Sequence, residues 1–166
     1  MIQEWLEVTT KAFTKLSEDF ELPECTHIES VGDIPRNQPG AYISLTNEEH
    51  AGLVGVLTTD QGQKALTANM LGMELEEVAE LDEGEIADCM REVANILAGM
   101  VKSLLTGGED LKLGLPVYSL SPLQYGSSVR SEVAKVRAGE HTFAIVIILG
   151  PTKSGVGAAG RKESAA

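Results

Sequence analysis

The chain has 166 residues, with 25 acidic against 13 basic side chains and a formal net charge of -12. That balance excludes the usual nucleic-acid binder, which needs a basic surface to release counterions, and no run of about 18 apolar residues offers a membrane span. The length suits one domain with its own core, and the two cysteines, Cys25 and Cys89, lie far apart without CxxC or metal-ligand spacing, so a reduced cytoplasmic protein is expected.

Residues 2–20 carry a helical pattern, with Ile2, Leu6, Phe13, Leu16 and Phe20 apolar and Glu4, Glu7, Lys11, Lys15 and Glu18 polar; Pro23 closes it. The start of this helix is amphipathic and acidic, unlike a secretory leader. Three strands are expected over residues 26–31, 41–45 and 53–58, separated by the turn-forming segments IPRNQPG and TNEEHAG, the last pair forming a hairpin. Thr59 or Asp60 can cap a short helix that runs to Leu71 and ends at Gly72. The acidic segment MELEEVAELDEGE leads into a long helix over residues 84–105, where its charges suit the positive end of the helix dipole. After the turn TGGED, strands are expected over residues 115–120, 128–137 and 142–149. The run FAIVIIL in the last reads as a strand buried on both faces or lying at an interface. Residues 1–150 are expected to form one domain, and residues 151–166, rich in Gly, Ser, Ala and Lys, a disordered tail.

The long helix has two contrasting faces. Ile86, Met90, Val93, Leu97, Met100, Val101 and Leu104 cluster as a core seam, and Asp88, Glu92, Asn95, Gly99 and Lys102 cluster roughly opposite. Asn and Gly are poor interior helix residues, Gly by about 1 kcal/mol against Ala, so something on that face outweighs helix stability. Gly99 would let a partner backbone come close. Asn95 offers a carboxamide with one acceptor and two donor hydrogens at any pH, and Glu92 adds a fixed negative charge one turn earlier.

Asp88-x-x-x-Glu92-x-x-Asn95, followed by Gly99 within EVANILAGMVKSLL, resembles the signature helix of the CheC/CheX/FliY family of chemotaxis phosphatases. The likeness continues upstream in ALTANMLG at residues 65–72 and downstream at Leu115-Pro116; it covers about residues 40–150 and is greatest to CheX-like members.

The two halves also look related. Sliding the chain by 85 residues puts Gln3, Glu7, Thr10 and Thr14 on Asp88, Glu92, Asn95 and Gly99, and Trp5, Val8, Ala12 and Leu16 on Met90, Val93, Leu97 and Val101. A slide of 91 puts EEH at residues 48–50 on GEH at residues 139–141. The core stripe survives and the polar signature decays, with Thr10 standing where the amide would be. The expected fold class is therefore α+β, pseudo-duplicated, with two long helices packed on a six-stranded, mostly antiparallel sheet, as the family resemblance also implies.

No Ser-His-Asp set, metal-ligand cluster or phosphate-binding Gly-Lys loop is present, and His27, His50 and His141 fall at strand or hairpin positions without partners at ligand spacing. The resemblance implies an aspartyl-phosphate phosphatase acting on a phosphorylated CheY-like receiver domain. The receiver would bring its own Mg2+ and Lys, and this protein would need no cofactor or metal of its own. In that division of labour Asn95 aligns the attacking water and Glu92 engages the receiver's Lys, while Asp88 and Gly99 contact the partner. The rival readings are a receiver-binding or flagellar-switch scaffold of the same fold without turnover, and a small-molecule sensor. The resemblance and the two apolar runs LVGVL and FAIVIIL, which leave hazardous edges if unpaired, suggest a homodimer.

Overall fold

The structure is a computed structural model that describes residues 1–121, 123, 126 and 128–150. The tail expected to be disordered, residues 151–166, lies outside them. In chain order the elements are α1 (Ile2–Asp19), β1 (Cys25–Val31), β2 (Gly40–Thr46), β3 (Ala51–Thr58), α2 (Asp60–Leu71), α3 (Leu75–Val78), α4 (Glu83–Leu104), β4 (Lys112–Leu113), β5 (Val117–Ser119), β6 (Arg130–Ala138) and β7 (His141–Leu149).

The local signals act as their chemistry requires. The Thr59 hydroxyl accepts from the Gly62 N–H at 3.1 Å to start α2. Gly72 ends it at φ 65°, in the left-handed region that glycine enters without penalty. A reciprocal capping box starts α4, in which the Asp82 carboxylate accepts from the Glu85 N–H at 2.8 Å and the Glu85 carboxylate from the Asp82 N–H at 3.0 Å. The acidic lead-in holds a further short helix, α3, that periodicity over so few residues cannot reveal.

The strands form one antiparallel sheet in the order β1-β6-β7-β3-β2-β4, with β5 also pairing β2. It has seven strands where six are expected. The extra one, β4, spans two residues and pairs Leu113 with Leu45 and Lys112 with Thr46, too short for an alternation to register. Both apolar runs are interior: β3 and β7 pair with each other and each has a further strand on its other edge. The open edges that would argue for a dimer are therefore not there; the sheet ends at β1 on one side and at β4 and β5 on the other.

Side chains alternate across the sheet with period two. Val54 and Val56 of β3, Phe143, Ile145 and Ile147 of β7, and Ala134 and Val136 of β6 join α1 and α4 in the main core. Leu57, Val133, Ala144, Val146 and Ile148 point the other way, into a second cluster with Tyr42 and with Ile34 of the β1–β2 connection. The strand FAIVIIL is thus buried on both faces.

The pairing registers carry the internal repeat. Gly40 pairs with Leu57, and the residues 91 further on, Ser131 and Ile148, pair with each other. Tyr42 pairs with Val117, and its counterpart Val133 pairs with Val31. Gly55 and Val146 are counterparts and are also cross-strand partners, so the pseudo-twofold axis passes between them. The axis exchanges α1 with α4, both of which lie on the same sheet face.

Candidate functional site

The α4 helix is held rigidly from below. Met90, Val93, Ala94, Leu97, Ala98 and Val101 are completely buried in the core shared with β2, β3 and α1, Ala87 is buried too, and Ile86 is buried in a smaller cluster with Ala68 of α2 and Val78 of α3. The packed stripe is broader than the expected seam because Ala87, Ala94 and Ala98 belong to it. The core face is covered unevenly near the helix end: Leu104, expected in the core, is 44% exposed and Met100 is half-buried, while Val101 and Leu105 beside them are buried in the main core.

The opposite stripe faces solvent. Asp88, Glu92 and Asn95 are exposed and Gly99 is half-buried, so the four positions singled out in the sequence stand on successive turns of one helix face. Their surroundings differ. The Asp88 carboxylate is engaged by the Arg91 guanidinium of the same helix. Among the described residues, neither the Glu92 carboxylate nor the Asn95 carboxamide has a hydrogen-bond or ion-pair partner. A Cβ at Gly99 would meet nothing within 4 Å, so no contact at that position demands glycine. The nearby Ser103 hydroxyl donates back to the Gly99 carbonyl at 3.1 Å, an added bond within the helix.

Beside Gly99 lies a shallow groove of about 400 Å³, lined by Ile96, Gly99, Met100, Ser103 and Leu104 of α4 and by Lys15 of α1. Sequence reasoning assigned Met100 and Leu104 to the core and left Lys15 as an ordinary surface charge. What leaves Met100 and Leu104 partly uncovered is the placement of the neighbouring elements, which local periodicity does not record.

The α1 helix has a groove of about 430 Å³ along its own outer face, lined in part by Gln3, Glu7, Thr10 and Thr14, with His27 and Ser30 of β1 opposite. These four α1 residues are the counterparts of Asp88, Glu92, Asn95 and Gly99. The chemistry has not survived the duplication: the Thr10 hydroxyl is buried without a hydrogen-bond partner among the described residues, and Thr14 turns its hydroxyl back onto the Thr10 carbonyl at 3.0 Å.

Other candidate chemistry falls away on geometry. His27 Nε2 lies 3.2 Å from the Ser30 hydroxyl, and the His50 ring packs edge-on to Trp5 with centroids 6.3 Å apart. Among the described residues no group of three or more His, Cys, Asp or Glu is arranged to hold a metal ion. Burial above all pushes the Cys89 thiol above its ordinary pKa, with Asp88 and Glu85 adding to the shift, so it is a poor nucleophile at neutral pH. A larger cavity of about 830 Å³ sits between α2, the start of α4 and β5. Its buried amide, Gln63, accepts from the Tyr118 hydroxyl at 2.9 Å and donates to the Thr58 carbonyl at 3.4 Å, so its polar groups are engaged within the protein. No described helix is long and apolar enough to cross a membrane.

An antiparallel sheet with two pseudo-equivalent helices on one face, one of them carrying a free carboxylate and carboxamide one turn apart, defines a CheC-type phosphatase architecture. The profile of the family described as chemotaxis phosphatase CheX matches residues 40–135, more than half of the chain. The chain belongs to the chemotaxis phosphatase CheX family. Among solved structures, chemotaxis protein CheX from Vibrio vulnificus is similar over 88% of this chain and 99% of its own, at 18% identity and a TM-score of 0.73. A CheC-like superfamily protein from Shewanella sp. PV-4 covers 88% and 97% at 15% identity and 0.72. The CheX of the CheX-CheY-BeF3-Mg2+ complex from Borrelia burgdorferi covers 90% and 97% at 12% identity and 0.63. These likenesses establish the fold. No curated protein sequence matches the chain.

Proposed function

We propose that the protein hydrolyses the aspartyl phosphate of a CheY-like receiver domain in the cytoplasm, with Asn95 aligning the attacking water and Glu92 anchoring the receiver's active-site lysine. The observation that carries this reading is the pair itself. Glu92 and Asn95 are exposed and, among the described residues, unpartnered on a helix whose other face buries Met90, Val93, Leu97 and Val101 completely, so both are presented outward from a rigid support.

The chemistry asks little of this chain beyond positioning. The water oxygen bonds to phosphorus as the bond from phosphorus to the aspartyl oxygen breaks. The carboxylate leaves in its ionised form, and the water proton ends on the released phosphate. Phosphoryl transfer of this kind depends chiefly on alignment and on neutralising charge. The receiver's Mg2+ and Lys supply the neutralisation, which is why this chain needs no metal. The Asn95 carboxamide accepts one hydrogen of the water and turns a lone pair toward phosphorus, without needing a tuned pKa. Asp88, tied to Arg91, orders the surface one turn before Glu92 and contacts the partner through that pair.

The test compares wild type with Asn95→Ala in two measurements. Affinity for a receiver loaded with Mg2+ and beryllofluoride should be retained, while single-turnover dephosphorylation should slow by about 10² or more. Equal rates would remove the phosphatase assignment from this helix and leave a non-catalytic receiver-binding scaffold as the better reading. A homodimer also belongs to the proposal, supported by the family resemblance and not by β3 or β7; light scattering that gives a monomer across micromolar concentrations rejects it.

A further inference from the structure

The groove beside Gly99 has an internal control. Under the slide of 85 residues, Ile96, Gly99, Met100 and Ser103 correspond to Lys11, Thr14, Lys15 and Glu18 of α1, which line a shallow depression of their own. The two depressions occupy equivalent places on equivalent helices. One carries Lys11, Lys15 and Glu18 around Thr14, as a solvated helix face should, and the other sets Ile96, Met100 and Leu104 around a glycine. If the fold required apolar side chains at this place, both copies would keep them. Only the copy that carries Glu92 and Asn95 does. The Gly99 position has open space above it, and Leu104 at the groove's end is 44% exposed, so neither residue is explained by contacts within the chain.

Lys15 reaches the groove from α1 and, among the described residues, has no carboxylate partner, although the protein carries a net charge of -12. An apolar floor with a free cation at its edge fits an apolar side chain that has an acid beside it. We propose that this groove receives a bulky apolar side chain of the receiver, flanked by a carboxylate that pairs with Lys15, and so determines which receivers are accepted. The inference rests on the receiver-directed reading of α4 and names the part of that surface that selects the partner. Glu92 and Asn95 engage features that every receiver's reaction centre shares, so discrimination among receivers must come from contacts beside them. The groove begins one turn away from Asn95, within the footprint of any domain docked there.

The experiment uses the full chain, Gly99→Leu, Lys15→Glu and Asn95→Ala against a panel of CheY-like receivers loaded with Mg2+ and beryllofluoride, together with steady-state dephosphorylation. A Cβ at Gly99 meets nothing within 4 Å and Leu is the better helix former, so the melting temperature of Gly99→Leu should hold or rise. Its dissociation constant should increase by about tenfold or more, and KM should rise with it while kcat changes by less than about twofold. Lys15→Glu should weaken binding by about three- to tenfold, with the effect shrinking as salt is added. Gly99→Leu binding within about twofold of wild type would overturn the groove while leaving Asn95 untouched. A wild-type protein that binds no receiver would overturn both the groove and the reading beneath it. Weaker binding by Gly99→Leu together with wild-type hydrolysis by Asn95→Ala would keep the groove as the docking surface and remove Asn95 from the hydrolytic step.

Discussion

Helices α1 and α4 occupy pseudo-equivalent places on one face of the sheet, and they differ in character on their outer faces. On the inner face Trp5 and Met90, Ala12 and Leu97, and Leu16 and Val101 are counterparts, and all six are buried. On the outer face an exposed carboxamide at Asn95 stands against a buried hydroxyl at Thr10, and open space at Gly99 against the self-bonded Thr14. Packing explains the first set, because both helices must cover the same sheet at the same spacing. It does not touch the second. The outer stripe of α4 keeps Asn95 and Gly99, residues that weaken a helix, where packing within the described residues does not call for them.

If α1 now serves the core and α4 the partner, substitutions at paired positions should separate the two roles. The largest effect is expected at Trp5, whose replacement by Ala should destabilise the protein by about 3–5 kcal/mol while the folded fraction hydrolyses phospho-receiver at the wild-type rate; denaturant unfolding with single-turnover kinetics measures both. A large rate loss at full folding would show that α1 contributes to the reaction.

Next comes the amide position. Asn95→Ala should reduce the hydrolysis rate by the two orders of magnitude given above, and Thr10→Ala should leave it within about twofold, since no hydroxyl is presented there. Matching losses in the two variants would mean that both helices act and would break the comparison.

Smaller again is the acid one turn earlier. Glu92→Lys should raise the dissociation constant for the receiver by about tenfold through like-charge repulsion, with stability unchanged because the position is exposed. Glu7→Lys at the counterpart should have no effect beyond the general electrostatic one. Titration of each variant at two salt concentrations separates the local contact from long-range attraction.

How far the chain could be read from its letters follows from what each feature depends on. Both long helices, the capped helix ending at Gly72, six of the seven strands and the hairpin between β2 and β3 came from periodicity and turn chemistry, which are properties of consecutive residues. The duplication was visible as two slides, 85 through the helices and 91 through the later strands, because repeated packing keeps repeated apolar spacing. The placement of Asp88, Glu92, Asn95 and Gly99 on one exposed face also followed from helical geometry alone. The sheet order did not, since pairing β1 with β6 and β3 with β7 joins residues about a hundred positions apart through contacts that no local pattern records. For the same reason the letters left open whether LVGVL and FAIVIIL would be paired, and both are interior strands. Only the tertiary arrangement showed that Leu104 is left 44% exposed between the buried Val101 and Leu105, and that Lys15 comes from the other helix to complete a groove beside Gly99. Helical spacing determines which side chains share a face, but the placement of the neighbouring elements decides which of them are covered.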